Sequence, residues 1–214
     1  MLILFCALGG TAALAAPMAC QPGTMASYLA VGFACTENSG ITTFQSFVFN
    51  NAQGSLTAND ITVSPLDIPG AVGFFISGNF VVGQGQSATY VFSYFIDPPP
   101  IIHGEQIDLD PMGSVSLLTD LCITPFPCGV GNSLGTLTAT TANPMASTIF
   151  PSDKPALGIQ NTLTLTGGNI GANSQGFDNV TFIAPEPSGI LLAASGLLGL
   201  LAFRSRAKFR KIRF

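Results

Sequence analysis

The residues able to do chemistry are few, and their spacing decides what they can do. His103 is the sole histidine of the chain. A serine or cysteine triad needs an imidazole base beside its nucleophile, and hydrolytic zinc needs more than one such ligand. Gly-x-Ser-x-Gly is absent, and His103 follows Pro98-Pro99-Pro100, so it reads as a loop residue. Glu105, Asp108 and Asp110 form the densest acidic cluster. In an extended segment Asp108 and Asp110 project to one side. Such carboxylates suit the acid and nucleophile of a glycosidase, or hard oxygen ligation of calcium. The Gly-bearing twelve-residue calcium frame is missing, so the three are weak calcium candidates that read first as solvated loop acids. Gly83-Gln84-Gly85-Gln86 and Gly167-Gly168-Asn169 read as turns, because no helix follows to cradle a phosphate. Asn179-Val180-Thr181 matches a glycosylation acceptor pattern. No cofactor is implied.

Four cysteines lie downstream of the apolar N-terminus: Cys20, Cys35, Cys122 and Cys128. An even number in an exported chain points to disulfides, for which three pairings exist. Proximity favours Cys20 with Cys35 and Cys122 with Cys128. A tetrathiolate zinc site is the rival, and the lack of Cys-x-x-Cys spacing weighs against it.

Charge narrows the function classes further. Between residues 16 and 184 ten carboxylates face one ammonium, Lys154, a formal −9. A nucleic-acid binder needs a cationic face to neutralise phosphates, so that class is excluded. The other six cations are Arg204, Arg206, Lys208, Arg210, Lys211 and Arg213, all at the C-terminal end.

The elements that must position these residues are strands. Short apolar stretches alternate with Gly, Pro, Asn and Asp, and no ten-residue window keeps an uninterrupted helical period. Residues 88–96 are the clearest strand, with Tyr90, Phe92, Tyr94 and Ile96 on one face. Residues 41–49 alternate around Phe44, Phe47 and Phe49, while 73–82 divide at a Ser77-Gly78-Asn79 turn signal. Further strands are expected at 61–64, 114–118, 135–140, 163–166 and 179–183, several of them Thr-rich. This pattern predicts an all-β domain, an antiparallel β-sandwich or jelly roll.

The two ends read as processing segments. Residues 1–15 are uncharged and apolar or small, as in a secretory signal peptide, with Ala13-Leu14-Ala15 at its cleavage site. The expected basic n-region is missing, which points to a start codon assigned too far downstream. At the other end Pro185-Glu186-Pro187-Ser188 leads into an apolar run ending at Phe203, then the six cations. The two prolines fix φ and withhold two backbone donors, so 185–187 stay extended ahead of the apolar helix. Sixteen residues make a short span of about 24 Å, and the basic block would stay on the cytoplasmic side. The domain boundaries are therefore 1–15, 16–184 and 185–214.

This tripartite tail resembles the PEP-CTERM sorting signal of exported proteins of Gram-negative bacteria. The resemblance covers residues 184–214; its basic block is longer and more interrupted than the family's compact Arg cluster. It implies a partner, an exosortase-type membrane protease-transpeptidase that cuts near the motif, and transient anchoring in the inner membrane. The body is more loosely similar to anonymous ectodomains of such proteins, through Cys20-x-Pro22-Gly23-Thr24, Tyr28, Cys35, Phe44–Phe49 and Gly83-Gln84-Gly85-Gln86-Ser87 before Tyr90. The resemblance implies an exported, non-enzymatic cell-surface or extracellular-matrix protein of biofilm or exopolysaccharide, with extracellular polysaccharide as a further partner. The alternative is a secreted carbohydrate-binding module that stacks sugars on exposed Phe or Tyr, although no Trp is present. A secreted hydrolase comes third.

Overall fold

The computed structural model describes residues 17–38, 40–97 and 101–183. Residues 1–16 and 184–214 lie outside them, and with these the signal peptide, the Pro185-Glu186-Pro187 motif, the apolar span and the basic block.

Among the described residues, thirteen strands and one helical turn follow in the order β1 (Met18–Ala19), β2 (Gly23–Thr24), α1 (Met25–Tyr28), β3 (Ala34–Glu37), β4 (Thr42–Asn51), β5 (Thr62–Ile68), β6 (Ala71–Val82) and β7 (Ser87–Asp97). The rest are β8 (Ile102–Met112), β9 (Ser114–Cys122), β10 (Ser133–Thr140), β11 (Met145–Lys154), β12 (Leu157–Thr166) and β13 (Ala172–Ile183). They build two sheets. Sheet A has the order β1-β3-β4-β7-β12-β9-β10, and sheet B the order β11-β8-β13-β6-β5-β2. All pairings are antiparallel except β1 with β3.

From β6 onward the chain passes back and forth between the layers. The last eight strands give β7-β12-β9-β10 in one layer and β6-β13-β8-β11 in the other. That is jelly-roll connectivity, with β1 to β5 extending the β7 and β6 sides.

Period-2 alternation turns one face of each strand inward, and aromatic side chains fill the space between the layers. Tyr90, Phe92, Tyr94 and Ile96 are all buried, as their alternation predicts. Phe44 of sheet A meets Phe74 of sheet B with ring centroids 4.7 Å apart. Phe92 and Phe177 meet at 5.5 Å, and Phe80 and Tyr90 at 5.2 Å. Edge-on packing of this kind adds to the apolar burial.

Two expectations are corrected, and one strand was not foreseen. Ser77-Gly78-Asn79 is no turn: β6 runs through it, and the irregularity is a bulge against β13, where Phe80 faces Ser174 but Ser77 faces Gly176. Residues 102–112 form a strand, so His103 and the acids after it belong to a sheet. Its register slips near Gly104, which hides the alternation. Residues 145–154 are also a strand, and the sequence conceals it because this edge element is exposed on most of its length. The three-residue spacing of Phe44 and Phe47 has a similar cause. Ser46 adopts φ 58° in a bulge against β7, and one extra residue returns Phe47 and Phe49 to the inner side.

The cysteines pair as proximity favours, Cys20 with Cys35 and Cys122 with Cys128, so the tetrathiolate alternative falls away. Disulfides form and persist in oxidising compartments, which marks an extracellular or periplasmic protein. No helix among the described residues is long and apolar enough to cross a membrane. The bridges span 15 and 6 residues. Loop-closure entropy therefore predicts that Cys20→Ser with Cys35→Ser costs about 3 kcal/mol, and Cys122→Ser with Cys128→Ser about 2. Urea unfolding midpoints check this, and a reversed order would contradict it.

Candidate functional site

The acids singled out in the sequence are parted by the strand that carries them. In β8, Glu105, Ile107 and Leu109 point into the core, while Asp108 and Asp110 project outward. The three therefore cannot meet on one calcium ion. Asp108 and Asp110 instead share a shallow 280 Å³ depression on the outer face of sheet B with Asp178, the cross-strand neighbour of Asp108. Partial burial, and then Asp108, raise the Asp178 carboxyl above its usual range. No group of three or more His, Cys, Asp or Glu among the described residues is placed to hold a metal ion.

His103 lies on β8 with Nδ1 2.5 Å from Asp153 Oδ1 of β11, both side chains about half exposed. This links an edge strand to its neighbour on the surface. Asn179 is completely buried, which removes it as a glycosylation acceptor in the folded protein.

Glu105 heads a chain of side-chain hydrogen bonds that crosses the sandwich. Thr181 Oγ1 donates to Glu105 Oε2 at 2.6 Å, and Asn179 Nδ2 donates to Oε1 at 3.4 Å. The same Asn179 accepts from Asn161 Nδ2 in sheet A, and Asn161 Oδ1 accepts from Thr119 Oγ1 at 2.6 Å. Register explains the contacts within each layer, since Thr181 lies opposite Glu105 and Asn161 opposite Thr119. All five side chains are fully enclosed. Burial raises the Glu105 carboxyl to about 8, with the bonds from Thr181 and Asn179 pulling the other way. The acid is thus neutral at physiological pH. Once ionised at higher pH, it acts on Tyr94, whose enclosed hydroxyl has no hydrogen-bond partner among the described residues; burial first, then Glu105, raises that phenol.

A second carboxyl pair closes the seam between the sheets. Glu37 ends β3 in sheet A, and Asp67 of β5 accepts from the Asn38 backbone at 3.1 Å. Burial, and then Asp67, push the Glu37 carboxyl to about 7.

A concavity of 540 Å³ lies at one end of the sandwich and is lined by no charged residue. Its floor consists of Ser114 and Ser116 of β9 with Thr164 and Thr166 of β12, in directly opposed pairs. Its walls are three turns. Thr141 Oγ1 donates to the Gly113 carbonyl at 2.5 Å and accepts from Val115 N at 3.1 Å, joining the β10–β11 turn to the β8–β9 turn. Gly113 has φ 85°, and a Cβ there would lie 2.7 Å from the Gly171 carbonyl, so only glycine fits between these turns. The sequence reading missed this cleft. Its signal was the Ser/Thr alternation of two strands that register places side by side.

Most aromatic residues face the core, and no Phe or Tyr among the described residues is fully exposed; Phe75, Phe126 and Phe182 are partly exposed outside it, Phe75 lining the acidic depression on sheet B.

No family model and no curated protein matches the sequence. Among solved structures, the carbohydrate-binding module TmCBM61, in complex with β-1,4-galactotriose, aligns over 62% of this chain and 86% of its own, with 11% identity and a TM-score of 0.35. The enzymatically active domain of Bacteriophage CBA120 tailspike protein 4 aligns over 64% of this chain but only 19% of its own, with 13% identity and a TM-score of 0.32. At these scores neither likeness bears on function.

The Glu105 carboxyl predicts a stability that falls between about pH 4.5 and 8. Folded, it keeps its proton up to about 8, whereas an unfolded glutamate releases it near the ordinary 4.5. Between those values the native state holds more protons, so stability falls as pH rises, with a slope approaching about 1.4 kcal/mol per pH unit. Glu37 adds to the slope in the same sense up to about 7. Glu105→Gln is expected to flatten the slope between pH 7 and 8 in urea unfolding, and an unchanged slope there would contradict a neutral Glu105.

Proposed function

We propose that the chain is an exported, non-catalytic protein of the cell surface or extracellular matrix, delivered by cleavage of its C-terminal signal by an exosortase-type membrane enzyme. The observation that carries this reading is the order of three features: Pro185-Glu186-Pro187, an uncharged apolar run, and six cations within the last eleven residues. A proline-stiffened peptide held at the membrane surface is presented as an extended strand, the form a protease cleft accepts. The apolar run and basic block then hold that peptide at fixed depth, with the body outside the inner membrane.

The body supports the reading in two ways. Its paired cysteines suit an oxidising compartment. Its most buried acid, Glu105, is fully enclosed in the core and out of a substrate's reach.

Mass spectrometry of the protein from its native host is expected to find a C-terminus near residues 185–187, with the apolar run and Phe214 gone. Glu186→Ala is expected to leave the tail attached, because it removes the acid that a processing enzyme would pair with. A mature chain still ending in Phe214 and embedded in the inner membrane would overturn the proposal.

A further inference from the structure

We propose that the hydroxyl-lined cleft at the end of the sandwich is a binding site for a neutral polysaccharide chain. The inference rests on the exported body proposed above and adds to it a site and a ligand class.

Charge excludes most other occupants. The body carries a formal −9, while the cleft itself has no charged lining. An anionic polymer would be repelled by the body as a whole, and a cationic ligand would find no carboxylate in the cleft. A neutral ligand meets neither obstacle.

The floor offers what polyhydroxylated chains recognise. The hydroxyls of Ser114, Ser116, Thr164 and Thr166 take no hydrogen-bond partner among the described residues. Each can donate and accept, as can every hydroxyl of a sugar, so either polarity of each contact can be met. Opposed pairs across β9 and β12 stand about 5 Å apart, and successive pairs along a strand about 7 Å apart. The result is a grid of four unused hydroxyls on a rigid sheet. Ile170, 90% exposed, borders the same cleft and offers an apolar contact for the C–H face of a sugar ring. The Thr141 and Gly113 contacts fix the walls in advance, so little ordering cost falls on binding. A volume of 540 Å³ lies within the range of sites for small ligands, enough for a short stretch of a longer chain.

The test is native affinity electrophoresis of the intact chain in mild detergent. Gels would carry dextran, mannan, galactan or mixed-linkage β-glucan, with anionic alginate for comparison. At least one neutral polymer is expected to retard the protein and alginate is not. Ser116→Ala combined with Thr164→Val is expected to weaken that retardation about tenfold or more. Ile170→Asp, at an exposed position that folding does not need, is expected to weaken it independently, while Thr62→Val on the other sheet leaves it unchanged. Retardation by none of the four neutral polymers, equal retardation by alginate, or undiminished retardation of both cleft variants would each overturn the proposal. Failure here with a C-terminus still cut near residues 185–187 removes the cleft's ligand and leaves the sorting reading intact. Retardation of a protein that keeps its tail does the reverse.

Discussion

A carboxyl group shut between two sheets is tolerable only when neutral and hydrogen-bonded, because desolvating its charge costs several kcal/mol. Burial keeps the Glu105 carboxyl protonated up to about 8, while Thr181 and Asn179 donate to its oxygens and pull toward the ionised form. The consequence reaches beyond one residue. Asn179 also bonds to Asn161 of the opposite layer, and Asn161 to Thr119. Aromatic packing between layers is strong but tolerates sliding, whereas amide and hydroxyl bonds are directional. A slip of either sheet would break the Asn161–Asn179 bond and leave an enclosed amide N–H and carbonyl unpaired, so this one contact pins how the layers face each other.

That alignment also sets the outer surface. Asn161 points inward from β12 while Thr162, Thr164 and Thr166 point outward, and Thr119 does the same for Ser114, Ser116 and Leu118 on β9. The phase that encloses the polar chain is therefore the phase that displays the hydroxyl floor. An exported protein gains from this arrangement in a specific way. Its outer face is uncharged at the cleft, most of its aromatic residues pack into the core, and its disulfides brace the β3 edge and the loop after β9.

The layered β architecture was legible because Tyr90, Phe92, Tyr94 and Ile96 alternate without interruption, and cysteine proximity named both disulfides. Three things were hidden, each for a physical reason. Bulges at Ser46 and near Gly104 shift the phase of alternation, so neighbouring strands read as irregular or as loops. An exposed edge strand such as β11 has little inward face to reveal it. The polar chain left a trace: Asn161 falls in phase with Leu157, Ile159, Leu163 and Leu165, and Thr119 with Val115, Leu117 and Leu121. A polar residue in step with buried aliphatic ones must find a partner inside. Which partner it finds depends on the facing layer, and that is tertiary information. The C-terminal segment belongs to the opposite case, since its order and charge are read from the sequence and lie outside the described residues.

The protonation state of Glu105 carries the account of how the layers are held, and the carboxyl carbon shift of that residue reports it directly. Carbon-detected NMR across pH 4 to 9 should show the Glu105 carboxyl neutral through pH 6 and changing only near 8, in line with its enclosure. A shift already typical of a carboxylate at pH 6, with an ordinary midpoint near 4.5, would mean a charged and solvated group. The enclosed, protonated Glu105 between the sheets would then not exist in solution.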